Sequence, residues 1–288
     1  MKTILITGIN GFLGSHIAEK LCSVYKIVGV EYSIQNLSRL DGKSFEVYTS
    51  DDVSLKKIFD KYKIFAIIHA ATVYRTTNES ILDILKTNIL LPVKLYELAN
   101  KYNVSIFLNT DSFFNDKKHQ YSYLSEYTQS KNNALDWLKL LNVNSQCKIV
   151  NMKIFHMYGS GDALTKFIPS IISKIKSNIP FVDLTEGKQT RDFIYIDDVV
   201  SAFEIVLKKY LDILNFEEFE IGIGKATPIK NIVELIKKIS KSTTELRFGT
   251  LTYRDGEIME SVADNSYLKK IGWEPHYTLR EGLESTIL

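Results

Sequence analysis

The chain has 288 residues, 45% of them hydrophobic, and 36 Lys and Arg against 34 Asp and Glu leave a formal net charge of +2. That near balance excludes a general pull towards nucleic acid or an anionic membrane, so any anion binding must be local. No apolar run approaches the ~18 residues of a membrane span, and MKTILITG is too short for a signal peptide, so a cytoplasmic protein is expected.

Short apolar runs at TILIT (3–7), KIVGV (26–30), FEVY (45–48), FAIIHA (65–70), SIFLN (105–109) and KIVNMKIF (148–155) read as strands, with longer helical stretches between them. Several are continuously apolar, as strands covered on both faces are, and helical crossovers imply a parallel, doubly wound sheet. After Phe155 the rhythm loosens through YGSGD, and TRDFIYIDDVVSAFEIVLKK reads as a strand turning into a helix. The expectation is an α/β protein: a Rossmann-type lobe over 1–155 and a smaller mixed α/β substrate-binding lobe over 156–288, with the chain crossing between them. Cys22 and Cys147 are expected as reduced, buried core thiols. The histidines at 16, 69, 119, 156 and 276 show no metal-ligand spacing, so no metal is expected.

TGINGFLGSHIAEKL (7–21) follows the first strand and opens a helix, placing Gly8, Gly11 and Gly14 at G-x-x-G-x-x-G spacing with Phe12 and Leu13 between the last two. Glycine permits the tight turn, the close approach of backbone N–H groups to a pyrophosphate and close strand–helix packing, so NAD(H) or NADP(H) is expected there. Glu31 ends the second strand, where a carboxylate accepts from a ribose diol and repels a 2′-phosphate. That favours NAD(H), although Arg39 stands nearby. In YTQSK, Tyr127 and Lys131 are four residues apart on one helix face. A free phenol has a pKa of about 10 and is protonated at neutral pH; a neighbouring ammonium is expected to bring it towards a range useful for proton exchange.

Taken in order, TGINGFLG, IIHAAT, NTDSFF, YTQSK, NMKIFHMYGSGD, RDFIYIDDVVSAF, IGIGKATPIKNIVELI and YRDGEIMESVADNSYLKKIGWEP resemble the extended short-chain dehydrogenase/reductase family that acts on nucleotide sugars. The resemblance implies that Thr110 holds the reacting sugar oxygen, with Tyr127 and Lys131 as the catalytic pair. It implies that His69, Ala70, Ala71 and Asn88 line the cofactor. For a nucleotide-diphosphate sugar it implies Arg191, Arg254 and Glu257, and arginine's planar fork suits diphosphate oxygens in any case. His156 stands where relatives carry Asn, and Lys166 is read either as a diphosphate contact or as a solvated helix end.

Three reactions share this scaffold. Dehydratases of the family carry Thr-Asp-Glu after the fifth strand, and here the letters are Thr110, Asp111 and Ser112. Serine is no comparable base, so elimination of water is disfavoured. Asp111 and Ser112 are placed beside the sugar, with Asp111 open between a sugar ligand and an inherited turn residue. The resemblance is greatest to 4-ketoreductases that complete CDP-linked 3,6-dideoxyhexoses. This implies NAD(P)H-dependent reduction of the C4 keto group of a nucleotide-linked deoxy-4-ketosugar, for deoxysugar synthesis. A 4-epimerase holding NAD is the second reading, with a 4,6-dehydratase or a non-catalytic dinucleotide-binding protein behind it. A homodimer through helices at 86–101 and 124–141 is implied. ILLPVKLYELA and ALDWLKLL are more apolar than one core-facing stripe requires, the alternative being deep burial within one subunit.

Overall fold

The computed structural model describes residues 1–74, 79–115 and 124–288; His119 lies outside them. The apolar runs form β1 (Thr3–Thr7), β2 (Lys26–Glu31), β3 (Glu46–Thr49), β4 (Ile64–His69), β5 (Ile106–Ser112) and β6 (Lys148–Ile154). Between them lie α1 (Phe12–Leu21), α2 (Asp52–Lys61), α3 (Ile81–Ile84), α4 (Leu91–Lys101) and α5 (Ser125–Asn142). Every residue of β1, β4 and β5 is buried, the condition that selects a continuously apolar strand. β1 pairs in parallel with both β2 and β4, β2 with β3, and β4 with β5.

Local chemistry sets the helix starts. The Asp51 carboxylate caps α2 by accepting from the N–H groups of Val53 and Ser54, each at 3.0 Å. A reciprocal Ser80–Asp83 capping box opens α3. Between α3 and α4 the rod widens into one π-helical turn, Leu85–Leu90, which carries Asn88; such turns concentrate at functional sites. Leu5, Val28 and Phe107 of the sheet pack with Leu55 and Ile58 of α2, Leu95 and Tyr96 of α4 and Leu138 of α5. Each contributes about 1.5–3 kcal/mol relative to exposure. Tyr96 is fully buried, and its hydroxyl donates to the Cys147 carbonyl at 2.6 Å while accepting from Asn142 at 2.6 Å. Its polar tip is therefore satisfied within the core. Cys147 is buried as expected, and burial pushes its thiol up to about 12. Cys22 corrects the expectation: it is exposed, because α1 ends at Leu21 and the cysteine takes the turn beyond the buried stripe.

The chain continues through β7 (His156–Tyr158), α6 (Phe167–Lys176), β8 (Phe181–Leu184), β9 (Thr190–Arg191), β10 (Phe193–Tyr195) and α7 (Ile196–Lys208). It then returns to the large sheet with β11 (Phe216–Ile221), completing the order β11-β6-β5-β4-β1-β2-β3. The remaining elements are β12 (Thr227–Pro228), α8 (Ile229–Ser240), β13 (Glu245–Phe248), β14 (Glu260–Ser261), α9 (Ser266–Lys270) and α10 (Leu279–Ile287). β12 and β14 flank β9 in one small sheet, β13 pairs with β8, and β10 pairs with β7. By packing there are two compact units. One takes the described residues of 1–153 together with Ala202–Phe219, the other Ile154–Ser201 and Glu220–Leu288. β11 thus brings the chain back to the edge of the main sheet after residue 155.

In the second unit two buried aspartates act as loop clamps. Asp192 accepts from the N–H groups of Ile223 and Gly224 at 2.9 Å and Ala263 at 3.1 Å. Asp198 accepts from those of His276 at 2.7 Å and Tyr277 at 3.0 Å. These contacts fix irregular backbone through hydrogen bonds to a charged acceptor. Among the described residues no helix is long and apolar enough to cross a membrane.

Candidate active site

The glycine turn is packed to backbone contact. Gly8 has φ +67°, and a Cβ there would lie 2.7 Å from the Ala71 nitrogen; one on Gly14 would lie 2.1 Å from the Gly8 oxygen. Only glycine fits at either position. Helix α1 opens at Gly11 with no side-chain cap and no acidic residue in its first turn, whereas α2 has Asp51 and Asp52. Nothing in the first turn of α1 competes with an anion for the positive end of that helix.

Glu31 lies against this turn. Its Oε1 accepts from the Asn10 N–H at 2.5 Å, and Asn10 Oδ1 in turn accepts from the Arg39 N–H at 3.0 Å. Burial raises the Glu31 carboxyl above its usual range, with N–H groups of Asn10 and Tyr32 acting in the opposite sense. The Arg39 guanidinium lies 6.0 Å from the Phe12 ring, so an acid and a base flank the same turn. Leu13 is buried in α1.

His69, Ala70 and Ala71 form the end of β4 and the step after it. The His69 ring is fully buried, with Nδ1 2.8 Å from Thr7 Oγ1, and burial and then Lys131 hold it neutral. Its side chain is thus part of the core; the Ala70 and Ala71 N–H groups donate to Thr7, to its carbonyl at 3.2 Å and its hydroxyl at 3.2 Å. Asn88 also faces protein groups: it accepts from the Val73 N–H at 2.8 Å and donates to the Val73 carbonyl at 2.9 Å and to Ser130 Oγ at 2.9 Å. The π-helical turn thereby fastens the segment after β4 to α5.

Lys131 meets Thr110, and Tyr127 stands one turn before Lys131 on the same helix. Tyr127 and Lys131 are each 3% exposed on α5, and Lys131 Nζ donates to the Thr110 carbonyl at 2.9 Å. Two features differ from expectation. The Thr110 hydroxyl donates to the His69 carbonyl at 2.8 Å, so toward a ligand its oxygen is an acceptor. The Tyr127 phenol is held well above its usual range, first by burial, then by Tyr74 and by Asp111, with Ser112 acting weakly in the other sense through a hydrogen bond. These influences outweigh the lowering expected from Lys131, whose ammonium is directed to the Thr110 carbonyl. Burial brings Lys131 itself down to about 8 against the opposing pull of Asp111.

Around the phenol the structure adds residues that pattern reading missed. Tyr74 stacks on Tyr127 with centroids 4.4 Å apart, and Phe114 meets it edge-on at 6.4 Å. Both sit just beyond strand ends, in stretches with no period, so only their nearness to the HAA and NTDS letters marks them. Asp111 and Ser112 are buried members of β5 rather than turn residues.

The remaining predicted residues belong to the second unit. Arg191 is 7% exposed; it pairs with Glu257 and donates to the Thr190 carbonyl at 2.8 Å. Burial and then Arg191 keep His156 neutral, and its ring lies 5.4 Å from Phe193. Lys166 pairs with Asp162 at 2.9 Å, and Arg254 is exposed in the turn whose carbonyl accepts from the Glu257 N–H at 3.1 Å.

The NAD dependent epimerase/dehydratase family model matches residues 4–222. A curated CDP-abequose synthase of Salmonella muenchen is 33% identical over 288 residues, covering 99% of this chain and 97% of that protein. Among solved structures, a UDP-glucose 4-epimerase of Thermotoga maritima with UDP-glucose superposes with a TM-score of 0.85 at 23% identity, over 99% of this chain and 97% of that one. A Thermus thermophilus UDP-glucose 4-epimerase complexed with NAD gives 0.81 at 18% identity over 99% and 97%. With the glycine turn, the Tyr127–Lys131 helix and the large sheet in place, the match over most of its length shows that the chain belongs to the NAD dependent epimerase/dehydratase family.

Proposed function

We propose that the protein is a nicotinamide-dependent reductase of the C4 keto group of a nucleotide-linked deoxy-4-ketosugar. The observation that carries this reading is the setting of Tyr127. Its phenol is buried against Tyr74 and Phe114, and burial, Tyr74 and Asp111 all favour the protonated form. Epimerisation and dehydration both begin by removing the proton of a C4 hydroxyl, which needs a phenolate. Reduction ends by giving a proton to the forming C4 alkoxide, which needs the phenol. The groups around Tyr127 suit the second task.

A reduced nicotinamide dinucleotide bound through its pyrophosphate at the glycine turn would supply the hydride. Tyr127 then protonates the sugar oxygen, Thr110 accepts from a sugar hydroxyl, and Lys131 keeps a positive charge beside them. Gly8, Gly11 and Gly14 admit the pyrophosphate, and the remaining lone pairs of Glu31 accept from the adenosine ribose, which favours NAD(H). Arg191 and Arg254 offer further N–H donors to a diphosphate, as do His156 and Lys166 in this reading, with Glu257 orienting Arg191. The aromatic pair beside Tyr127 suits the apolar positions of a deoxysugar better than a hexuronic acid.

Dehydration lacks its base. Where such enzymes carry Glu the chain has Ser112, and among the described residues the carboxylate acting on Tyr127 is Asp111, which is turned into the amides of Asn115 and Asn151. The likeness to a CDP-abequose synthase over nearly the whole of both chains supports the same reading. A 4-epimerase is the second reading, favoured by Glu31, because such enzymes hold and recycle NAD. The dimer reading has exposed apolar residues in its support: Trp137 and Leu140 on α5, Leu82 on α3 and Leu90 at the end of the π-helical turn.

Mixing the purified protein with CDP-, dTDP-, UDP- and GDP-4-keto-deoxysugars and reduced nicotinamide dinucleotide tests the proposal. A stoichiometric loss of reduced-nicotinamide absorbance is expected with one of them. Sugar product without net loss would assign an epimerase instead.

A further inference from the structure

Asp111 is the acid of the strand-end triplet that the proposed reaction leaves without a task. Its carboxylate is 4% exposed. Oδ1 accepts from the Ser112 N–H at 2.8 Å, and Oδ2 accepts from the side-chain amides of Asn115 at 2.9 Å and Asn151 at 2.8 Å. Asn151, on β6, is itself fixed: its Oδ1 accepts from Asn109 at 2.8 Å and its Nδ2 also donates to Glu218 of β11 at 2.7 Å. Glu218 pairs with Lys153 at 2.9 Å. The carboxylate is therefore clamped into the sheet by donors from two strands and a turn. A group held this way is a poor ligand for a passing sugar and a good fixed charge.

Lys131 supplies the reason for a fixed charge. It is 3% exposed, and its Nζ donates to the carbonyl of Thr110, the residue preceding Asp111. A buried ammonium beside a neutral carbonyl tends to release its proton, whereas a carboxylate at the same strand end retains it. Asn151 bridges the buried Asp111 carboxylate to the more exposed Glu218, which pairs with Lys153, so Asp111 is the buried carboxylate on the Lys131 side of this network. We propose that Asp111 is a positioning residue for the reaction, its clamped carboxylate being the counter-charge that keeps Lys131 cationic and directed at the Thr110 carbonyl. The catalytic consequence rests on the reductase reading; the coupling between the two charges does not.

The titratable groups facing this pair are Tyr127 from α5, His69 from β4, Tyr74 from the segment after β4 and, through Asn151, Glu218 of β11 and Lys153 of β6. His69 stays neutral and Tyr127 stays protonated through neutral and mildly alkaline pH. Lys131, at about 8, changes charge within that range. Its folded value lies below its unfolded one, so the unfolded chain binds the extra proton and stability rises with pH across the interval between them. Removing the Asp111 charge lowers the folded value further and starts that rise at lower pH.

The test is chemical unfolding of the wild type, Asp111→Asn, Lys131→Met and the double variant from about pH 6 to about pH 10. Asp111→Asn keeps the side-chain shape. Its loss in folding equilibrium constant is expected to be greatest where Lys131 is charged and to shrink about tenfold as Lys131 neutralises, the effect of about one pH unit from a neighbouring charge. In the Lys131→Met background that dependence is expected to vanish. A loss by the same factor at every pH and in both backgrounds makes Asp111 a plain hydrogen-bond acceptor and overturns the proposal. Should Asp111→Asn fail to fold, a folded double variant supports the coupling and an unfolded one refutes it. In the rate profile of the folded variant the alkaline limb should move down by about one pH unit; a limb that stays in place refutes the positioning role. Coupling found in a protein that reduces no ketosugar sinks the reductase reading alone.

Discussion

Replacing Gly14 by Ala sets two local effects against each other, and the structure decides between them. The residue lies inside α1, where Ala is favoured over Gly by about 1 kcal/mol. The added Cβ would stand 2.1 Å from the Gly8 oxygen, 2.8 Å from the Gly8 carbonyl carbon and 3.0 Å from the Ile9 Cα. All three are backbone atoms. Gly8 has no room to retreat, since its own Cβ position is 2.7 Å from the Ala71 nitrogen. Overpacking costs about 1–3 kcal/mol where side chains can adjust, and a backbone clash belongs at the top of that range. We predict a net destabilisation of about 2 kcal/mol in urea unfolding. Because the strained atoms are those that form the dinucleotide turn, titration with reduced nicotinamide dinucleotide should show affinity weakened about tenfold or more. A variant about 1 kcal/mol more stable than wild type, with unchanged affinity, would show that propensity governs this position and that the turn is not packed as described.

Three further substitutions probe separate parts of the account. Asn88→Ala removes an amide that makes hydrogen bonds of 2.8, 2.9 and 2.9 Å to Val73 and Ser130. We predict a loss of about 2–4 kcal/mol by chemical unfolding, together with a raised KM for the sugar as Tyr74 loosens; wild-type stability would refute the staple. Glu31→Ala, with Arg39 on the same turn, should shift the ratio of kcat/KM between NADH and NADPH towards NADPH by about tenfold, and an unchanged ratio would remove Glu31 from cofactor choice. Trp137→Glu places a charge on an exposed apolar face of α5. Sedimentation should show the wild type as a dimer and the variant as a monomer, whereas a monomeric wild type rejects the interface.

What could be read from the letters was what depends on neighbours in sequence. The glycine turn, the Tyr127–Lys131 spacing and the buried parallel strands are local patterns, and the structure places them as read. The end of β5 was not legible. SIFLN stops being apolar at Asn109, so periodicity ends the strand there, yet the strand runs on to Ser112 with every residue buried. Those polar side chains and backbone groups can be buried because partners arrive from elsewhere: Asn151 from β6 for Asp111 and Asn109, the His69 carbonyl from β4 for Thr110, and Lys131 from α5. Partners 21 to 42 residues away leave no trace in a hydrophobic pattern. For the same reason the Tyr74 stack on Tyr127 was missed, and with it the environment that holds the phenol protonated.

The central claim is net reduction, with Tyr127 as the proton donor. The most direct measurement supplies reduced nicotinamide deuterated at its hydride-bearing carbon, together with the nucleotide-linked 4-ketosugar that the protein turns over, and reads the product by mass spectrometry and NMR. The account predicts deuterium at C4 of every product molecule, matched by oxidised cofactor, with Tyr127→Phe slowing that transfer by about 10²–10⁴-fold. Product formed with no deuterium at C4, or a Tyr127→Phe variant that turns over like the wild type, would contradict it.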